Sequence, residues 1–180
     1  MKFGGTSVGK PERMRQVSQL ITADAESKIV VLSALSGTTN ALVEIGNSIA
    51  AGDREKAKQQ IDRLEAHYQS FTSDLVKSEK SREKAKAIVA EHFEFLTIIL
   101  KISFSEALNK DILAQGELLS TKLFSVFLEE NGIAHFLLPA LEFMSIDNHD
   151  EPQVNSIKTR LGHLLQRLHG PETVAASRRA

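Results

Sequence analysis

The run Lys28-Ile29-Val30-Val31-Leu32-Ser33-Ala34 constrains the fold more than any other stretch of this chain. It is short, β-branched and continuously apolar at its centre, with polar and turn residues on either side. A strand with one wet face alternates in polarity, so an unbroken run predicts a parallel strand buried between helices. The flanking sequence offers those helices. Pro11 suits a first helical turn, and Met14, Val17 and Ile21 follow on one face at steps of three and four. Helices are predicted over residues 40–51, closing near Gly52, and over 53–76 with the stripe Ile61, Leu64, Tyr68, Phe71 and Leu75. Two more are predicted over 81–100 and over 105–130, the last with a break near Gly116.

Gly132 is placed to close that last helix, ahead of a second strand candidate, Ile133-Ala134-His135-Phe136-Leu137-Leu138. Residues 141–146 form a third candidate. The order is loop, helix, strand, several helices, strand, helix. It predicts an α/β chain with a helical excursion inserted between strands. At 180 residues one core is the expected number. Residues 1–168 are expected to form one domain, and 169–180, with little to bury, a frayed tail.

Charge excludes whole classes of partner. Lys plus Arg (22) nearly balances Asp plus Glu (23), for a formal net charge of −1. Such a balance leaves no footprint for nucleic acid or an anionic membrane, and directs attention to small molecules. Cysteine is absent, which removes disulfides, a thiol nucleophile and thiolate zinc sites, and fits a reducing cytoplasm. No run reaches 18 apolar residues and the amino end lacks an apolar signal core, so neither a membrane span nor a secretory leader is expected. His149 stands with Asp147, Asp150 and Glu151 in a polar stretch that reads as a solvated loop. The other histidines lack ligand spacing, so no metal site is expected.

Three motifs carry candidate chemistry. Gly4-Gly5-Thr6-Ser7-Val8-Gly9-Lys10-Pro11 nearly spells a P-loop. Pro11 stands where that loop needs a hydroxyl for magnesium, and only Met1-Lys2-Phe3 precedes it, so Lys10 reads as a solvent-facing residue at a helix start. Glycines 4 and 5 would still let backbone N–H groups approach phosphate oxygens. Thr6 and Ser7 would add hydroxyls, or a cap for the following helix. An ordinary strand-to-helix turn remains the alternative. Ser33-Ala34-Leu35-Ser36-Gly37-Thr38-Thr39-Asn40 follows the best strand, where open α/β sheets bind ligands, although its residues also suit a turn and cap. In Gly116-Glu117-Leu118-Leu119-Ser120-Thr121, Glu117 is an acid within an apolar helical stretch. It reads either as a buried carboxylate awaiting a cation or as an exposed helix-face residue.

Together these motifs resemble those of the aspartate kinases. KFGGTSVG is similar to that family's opening signature, VVLSALSGTTNALV to its second motif and QGELLSTKLF to its third. Leu138 to Met144 resembles a less diagnostic fourth stretch. Order and spacing match over about residues 1–165. The resemblance implies an amino-acid-kinase fold, a largely parallel sheet flanked by helices, of which this chain holds an incomplete, helix-rich amino-terminal portion. It implies that the β-carboxylate of L-aspartate attacks the γ-phosphorus of Mg-ATP to give 4-phosphoaspartate, on the way to lysine, threonine and methionine. The cofactors it implies are ATP and Mg2+, the ion held through the nucleotide.

By the same resemblance, Lys2 is the catalytic lysine. Lys2, Phe3, Gly4, Gly5, Thr6 and Ser7 meet the ATP phosphates, Ser33 and Thr39 line the aspartate pocket, and Glu117 grips the substrate ammonium. Positioning and charge stabilisation carry phosphoryl transfer, so no covalent nucleophile is needed.

Family members continue into a glycine-rich G-R-G-G-S-D run, then a nucleotide-binding segment and usually two regulatory ACT domains. None of these stands in the 180 residues. The chain is therefore expected to have little activity alone, and an exposed half-core would favour a homo-oligomer. The alternatives are a non-catalytic remnant that binds aspartate or a partner chain, and another amino-acid kinase.

Overall fold

The structure, a computed structural model, describes residues 1–168. It comprises two compact units, Met1–Ile133 and a second that begins at Ala134. The tail expected over 169–180 lies outside the described residues.

The first unit runs β1 (Lys2–Phe3), α1 (Gly5–Val8), α2 (Pro11–Ile21), β2 (Val31–Leu32), α3 (Thr38–Ala50), α4 (Arg54–Leu75), α5 (Glu79–Ile99) and α6 (Glu106–Glu130). The two strands pair in parallel, Lys2 opposite Val31 and Phe3 opposite Leu32. A helix-rich chain with a small parallel sheet is the α/β class expected. The strand itself is shorter than its run of apolar residues suggested, and it is not covered on both faces. Leu32 and Ala34 are buried, while Ile29 is 70% and Val31 52% exposed. Among the described residues only one face of β2 meets a helix layer, so only that face behaves as core.

The helices follow their predicted stripes. Ile61, Leu64, Tyr68, Phe71 and Leu75 of α4 are all buried, and each such side chain contributes about 1.5–3 kcal/mol. Asp53, Ser78 and Ser105 cap α4, α5 and α6 by accepting the N–H groups of Lys56, Ser81 and Leu108. Gly52 and Gly132 close α3 and α6 at φ +76° and +66°. The predicted break near Gly116 is absent: α6 runs through it from Glu106 to Glu130.

The second unit departs furthest from the sequence reading. Residues 133–138 form no strand, and the third candidate holds a short helix, α7 (Ala140–Phe143). One antiparallel bridge, Ile146 with Pro152, precedes α8 (Val154–Leu168). A strand requires a regular ladder of backbone hydrogen bonds to a neighbouring run, which an apolar sequence does not by itself supply. The loop around His149 is turned by Asp147, whose Oδ1 accepts from the N–H groups of His149 (2.8 Å) and Glu151 (3.0 Å). That carboxylate serves the turn, as a solvated loop requires.

His92 is buried between α5 and α6. Gln115 Nε2 donates to Asp111 O, which leaves Gln115 Oε1 to accept from His92 Nδ1 at 2.5 Å. His92 Nε2 is buried and meets no hydrogen-bond partner among the described residues. Burial lowers the imidazole pKa, against the pull of Gln115. The unfolded chain therefore binds a proton first as pH falls below about 6.5. Stability is full above that value and is lost as pH falls toward the lowered folded pKa. Denaturant titrations between pH 7 and pH 5 are expected to show this slope, and His92→Gln to flatten it. An equal slope in both chains would assign the effect elsewhere.

Candidate active site

Three motifs distant in sequence meet where the two parallel strands end. Because β1 and β2 run in the same direction, Gly4-Gly5 and Ser33-Ala34 leave the sheet on the same side. Ser33 N donates to Phe3 O (3.0 Å), which ties the first motif to the second. Two contacts tie the third motif to the second. Ser120 Oγ donates to Ser33 O (2.8 Å), and Ala34 N lies 3.4 Å from Glu117 Oε1, a long bond. Glu117 and Ser120 are three apart and share one face of α6.

Glycines let these segments approach. A Cβ at Gly5 would stand 2.9 Å from Ala34 O, and one at Gly9 2.6 Å from Ser36 Cβ. A Cβ at Gly116 would stand 2.7 Å from Ala34 Cβ. Gly116 is therefore no helix break but the place where α6 touches the 33–38 segment. Gly4 differs from all three: a Cβ there would meet nothing within 4 Å. Its backbone is extended, at φ −80° and ψ 171°, a conformation open to any residue. Neither backbone conformation nor packing against protein requires glycine at this position. The open space beside it suits a close-approaching ligand such as a phosphate.

Lys2 is exposed and its ammonium makes no ion pair among the described residues. Phe3 is half-buried on β1. Thr6 and Ser7 lie inside α1 rather than capping the helix that begins at Pro11, whose N-cap is the exposed Lys10. Ser7 N donates to Gly4 O (2.9 Å), and Thr6 O accepts from Arg13 (2.6 Å). A strand does stand before the loop, two residues long, yet Pro11 still has no hydroxyl to offer a metal. Ser33 is half-buried beside the Glu117 contact. Thr39 stands exposed on the first turn of α3, after Gly37 at φ +85°. Of the two readings of Glu117, the exposed helix-face residue is the one found, with its carboxylate turned toward Ala34 N.

Sequence reasoning passed over Ser120 and Thr38, although both stood inside the quoted motifs. The three-residue step from Glu117 to Ser120 was the available signal. Thr38 is 1% exposed and its hydroxyl lies 3.1 Å from Tyr68 Oη, a contact between residues thirty positions apart that no local pattern reveals.

The amino acid kinase family's sequence model matches residues 1–174. Lysine-sensitive aspartokinase 3 of Escherichia coli is 30% identical over 132 residues, covering 73% of this chain and 28% of that protein. A short Haemophilus influenzae relative, named an aspartokinase 3 thought to be inactive, is 33% identical over 114 residues, covering 52% of this chain and 94% of that protein. Among solved structures, E. coli aspartokinase III in complex with aspartate and ADP is similar at TM-score 0.75 and 27% identity. That match covers 93% of this chain and 37% of the solved one. The chain thus spans about a quarter of the length of its longer relatives.

Proposed function

This chain belongs to the amino acid kinase family, on the branch that holds the aspartokinases, and from that premise we propose that it carries the substrate-binding portion of an aspartate kinase. The observation that supports the reading most is the meeting of Lys2-to-Ser7, Ser33-to-Thr39 and Glu117 at one end of the sheet. A solved relative with aspartate and ADP bound shares this fold.

In this reading Lys2 places a positive charge beside the transferring phosphoryl group and is the catalytic residue. The backbone from Phe3 to Gly5 and the hydroxyls of Thr6 and Ser7 hold the phosphates. Ser33 and Thr39 line the aspartate pocket, and Glu117 accepts from the substrate ammonium. A β-carboxylate oxygen forms a bond to the γ-phosphorus, while the bond from that phosphorus to the bridging oxygen breaks and ADP leaves with its electron pair. Mg2+, held through the nucleotide, would supply neutralisation of phosphate charge. The product is 4-phosphoaspartate, the activated acid from which lysine, threonine and methionine are made, and the compartment is the cytoplasm. The domain is proposed to extend over 1–168.

These 180 residues alone are proposed to bind aspartate and to turn over little. The short H. influenzae relative favours this second element of the reading. Calorimetric titration with aspartate and with Mg-ATP, beside a coupled ADP-release assay, tests both. Binding without turnover is expected. Gly4→Ala is expected to weaken Mg-ATP binding with the melting temperature unchanged, since a Cβ there meets nothing within 4 Å. Failure of the unaltered chain to bind aspartate would sink the proposal.

A further inference from the structure

We propose that Tyr68 is a positioning residue of the aspartate pocket, its hydroxyl fixing the Thr38 corner against which α6 sets Glu117. The inference rests on the reading of Ser33, Thr39 and Glu117 as the aspartate-binding set.

Tyr68 is fully buried in the α4 stripe, its ring tilted against Phe93 with centroids 5.8 Å apart. Phenylalanine would fill the same space without burying a polar group. A buried hydroxyl is costly unless it is bonded, and this one meets Thr38 Oγ1 at 3.1 Å. Thr38 is the first residue of α3, and its N–H donates to Leu35 O (3.0 Å), closing the turn between Ser33 and Thr39.

The two branches of Thr38 serve two helices. Its hydroxyl faces Tyr68 on α4, while its methyl Cγ2 lies 3.2 Å from where a Cβ of Gly116 would stand on α6. The hydroxyl contact thus selects the rotamer that presents the methyl to α6. Without it, methyl and hydroxyl can exchange places, and the contact beside Glu117 is no longer single. The Glu117 charge also reaches Tyr68: burial raises the phenol pKa first, the Thr38 bond opposes this, and Glu117 adds to the rise. No sequence motif includes Tyr68, and the stripe alone would read it as core.

The test measures aspartate affinity in the whole chain, in Tyr68→Phe, in Thr38→Val and in the double variant. Tyr68→Phe is expected to weaken binding about fivefold, the size of one net hydrogen bond. Thr38→Val carries a methyl on both branches and presents one to α6 in either arrangement, so it should lose less than Tyr68→Phe, and the double variant should bind no more weakly than Tyr68→Phe alone. Wild-type affinity in Tyr68→Phe overturns the proposal, as does a double variant whose losses multiply. Tyr68 is the only tyrosine and tryptophan is absent, so emission excited beyond the phenylalanine absorption band reports on this residue alone. Aspartate is expected to change it, and measurable binding with constant emission counts against the proposal. If the unaltered chain binds no aspartate, the pocket reading fails separately. Amide exchange then decides the role of Tyr68: faster exchange over residues 33–39 in Tyr68→Phe supports it, and unchanged protection overturns it.

Discussion

Replacing Gly116 by valine is expected to destabilise the chain by about 3 kcal/mol or more, lowering the thermal midpoint by roughly 6–12 °C. Two effects compete at this position. A glycine inside a helix costs about 1 kcal/mol relative to alanine, so on a free helix face the substitution would be neutral or favourable. Gly116 is not on a free face. Its Cβ would lie 2.7 Å from Ala34 Cβ, 3.2 Å from Thr38 Cγ2 and 3.3 Å from Leu42 Cδ1. The first of these atoms is fixed to the backbone just after β2 and has no rotamer by which to withdraw. Alanine at 116 sets the gain in helix propensity against an overpacking cost of about 1–3 kcal/mol, for a small net loss. Valine adds two methyls directed at Thr38 and Leu42, and α6 must move outward. That movement would also stretch the Ser120 bond to Ser33 and part Glu117 from Ala34, so aspartate affinity should fall along with stability. Circular dichroism melts of the glycine, alanine and valine chains decide it. A midpoint that rises from glycine to alanine to valine would mean that α6 does not rest on Ala34.

The long helices were legible because each carries its own period. The α4 stripe is a local signal, and tertiary packing agreed with it; the caps at Asp53 and Ser78 are local as well but were not read from the sequence. The strands were less legible, because an apolar run states a capacity for burial and not the presence of a neighbour. Residues 28–34 yielded a two-residue strand, and 133–138 yielded no strand. Gly116 misled for a related reason: a glycine weakens a helix in isolation, and its compensation, a close approach to Ala34, comes from residues some eighty positions away. The motifs marked where candidate site residues stand. They could not reveal the Thr38–Tyr68 contact, which joins a loop corner to a helix whose stripe signalled only core.

Glu117→Ala is expected to weaken aspartate binding roughly tenfold to a hundredfold, the range for one hydrogen bond to a charged group. Stability should change little. Glu117 is exposed, and the bond its carboxylate accepts from Ala34 N is long at 3.4 Å. Glu117→Gln keeps an acceptor for Ala34 and for an ammonium but removes the charge, so its loss should be intermediate and less sensitive to salt. The proposed partner of Glu117 is the substrate ammonium, and this gives the prediction its sharpest control. Succinate has both carboxylates of aspartate and no amino group. If the role is right, Glu117→Ala costs succinate no affinity, and removing a carboxylate from beside a dianion can even improve it. Calorimetry with aspartate and succinate on the three chains separates the cases. Equal losses for the two ligands would show that Glu117 shapes the pocket through Ala34 rather than meeting the ammonium.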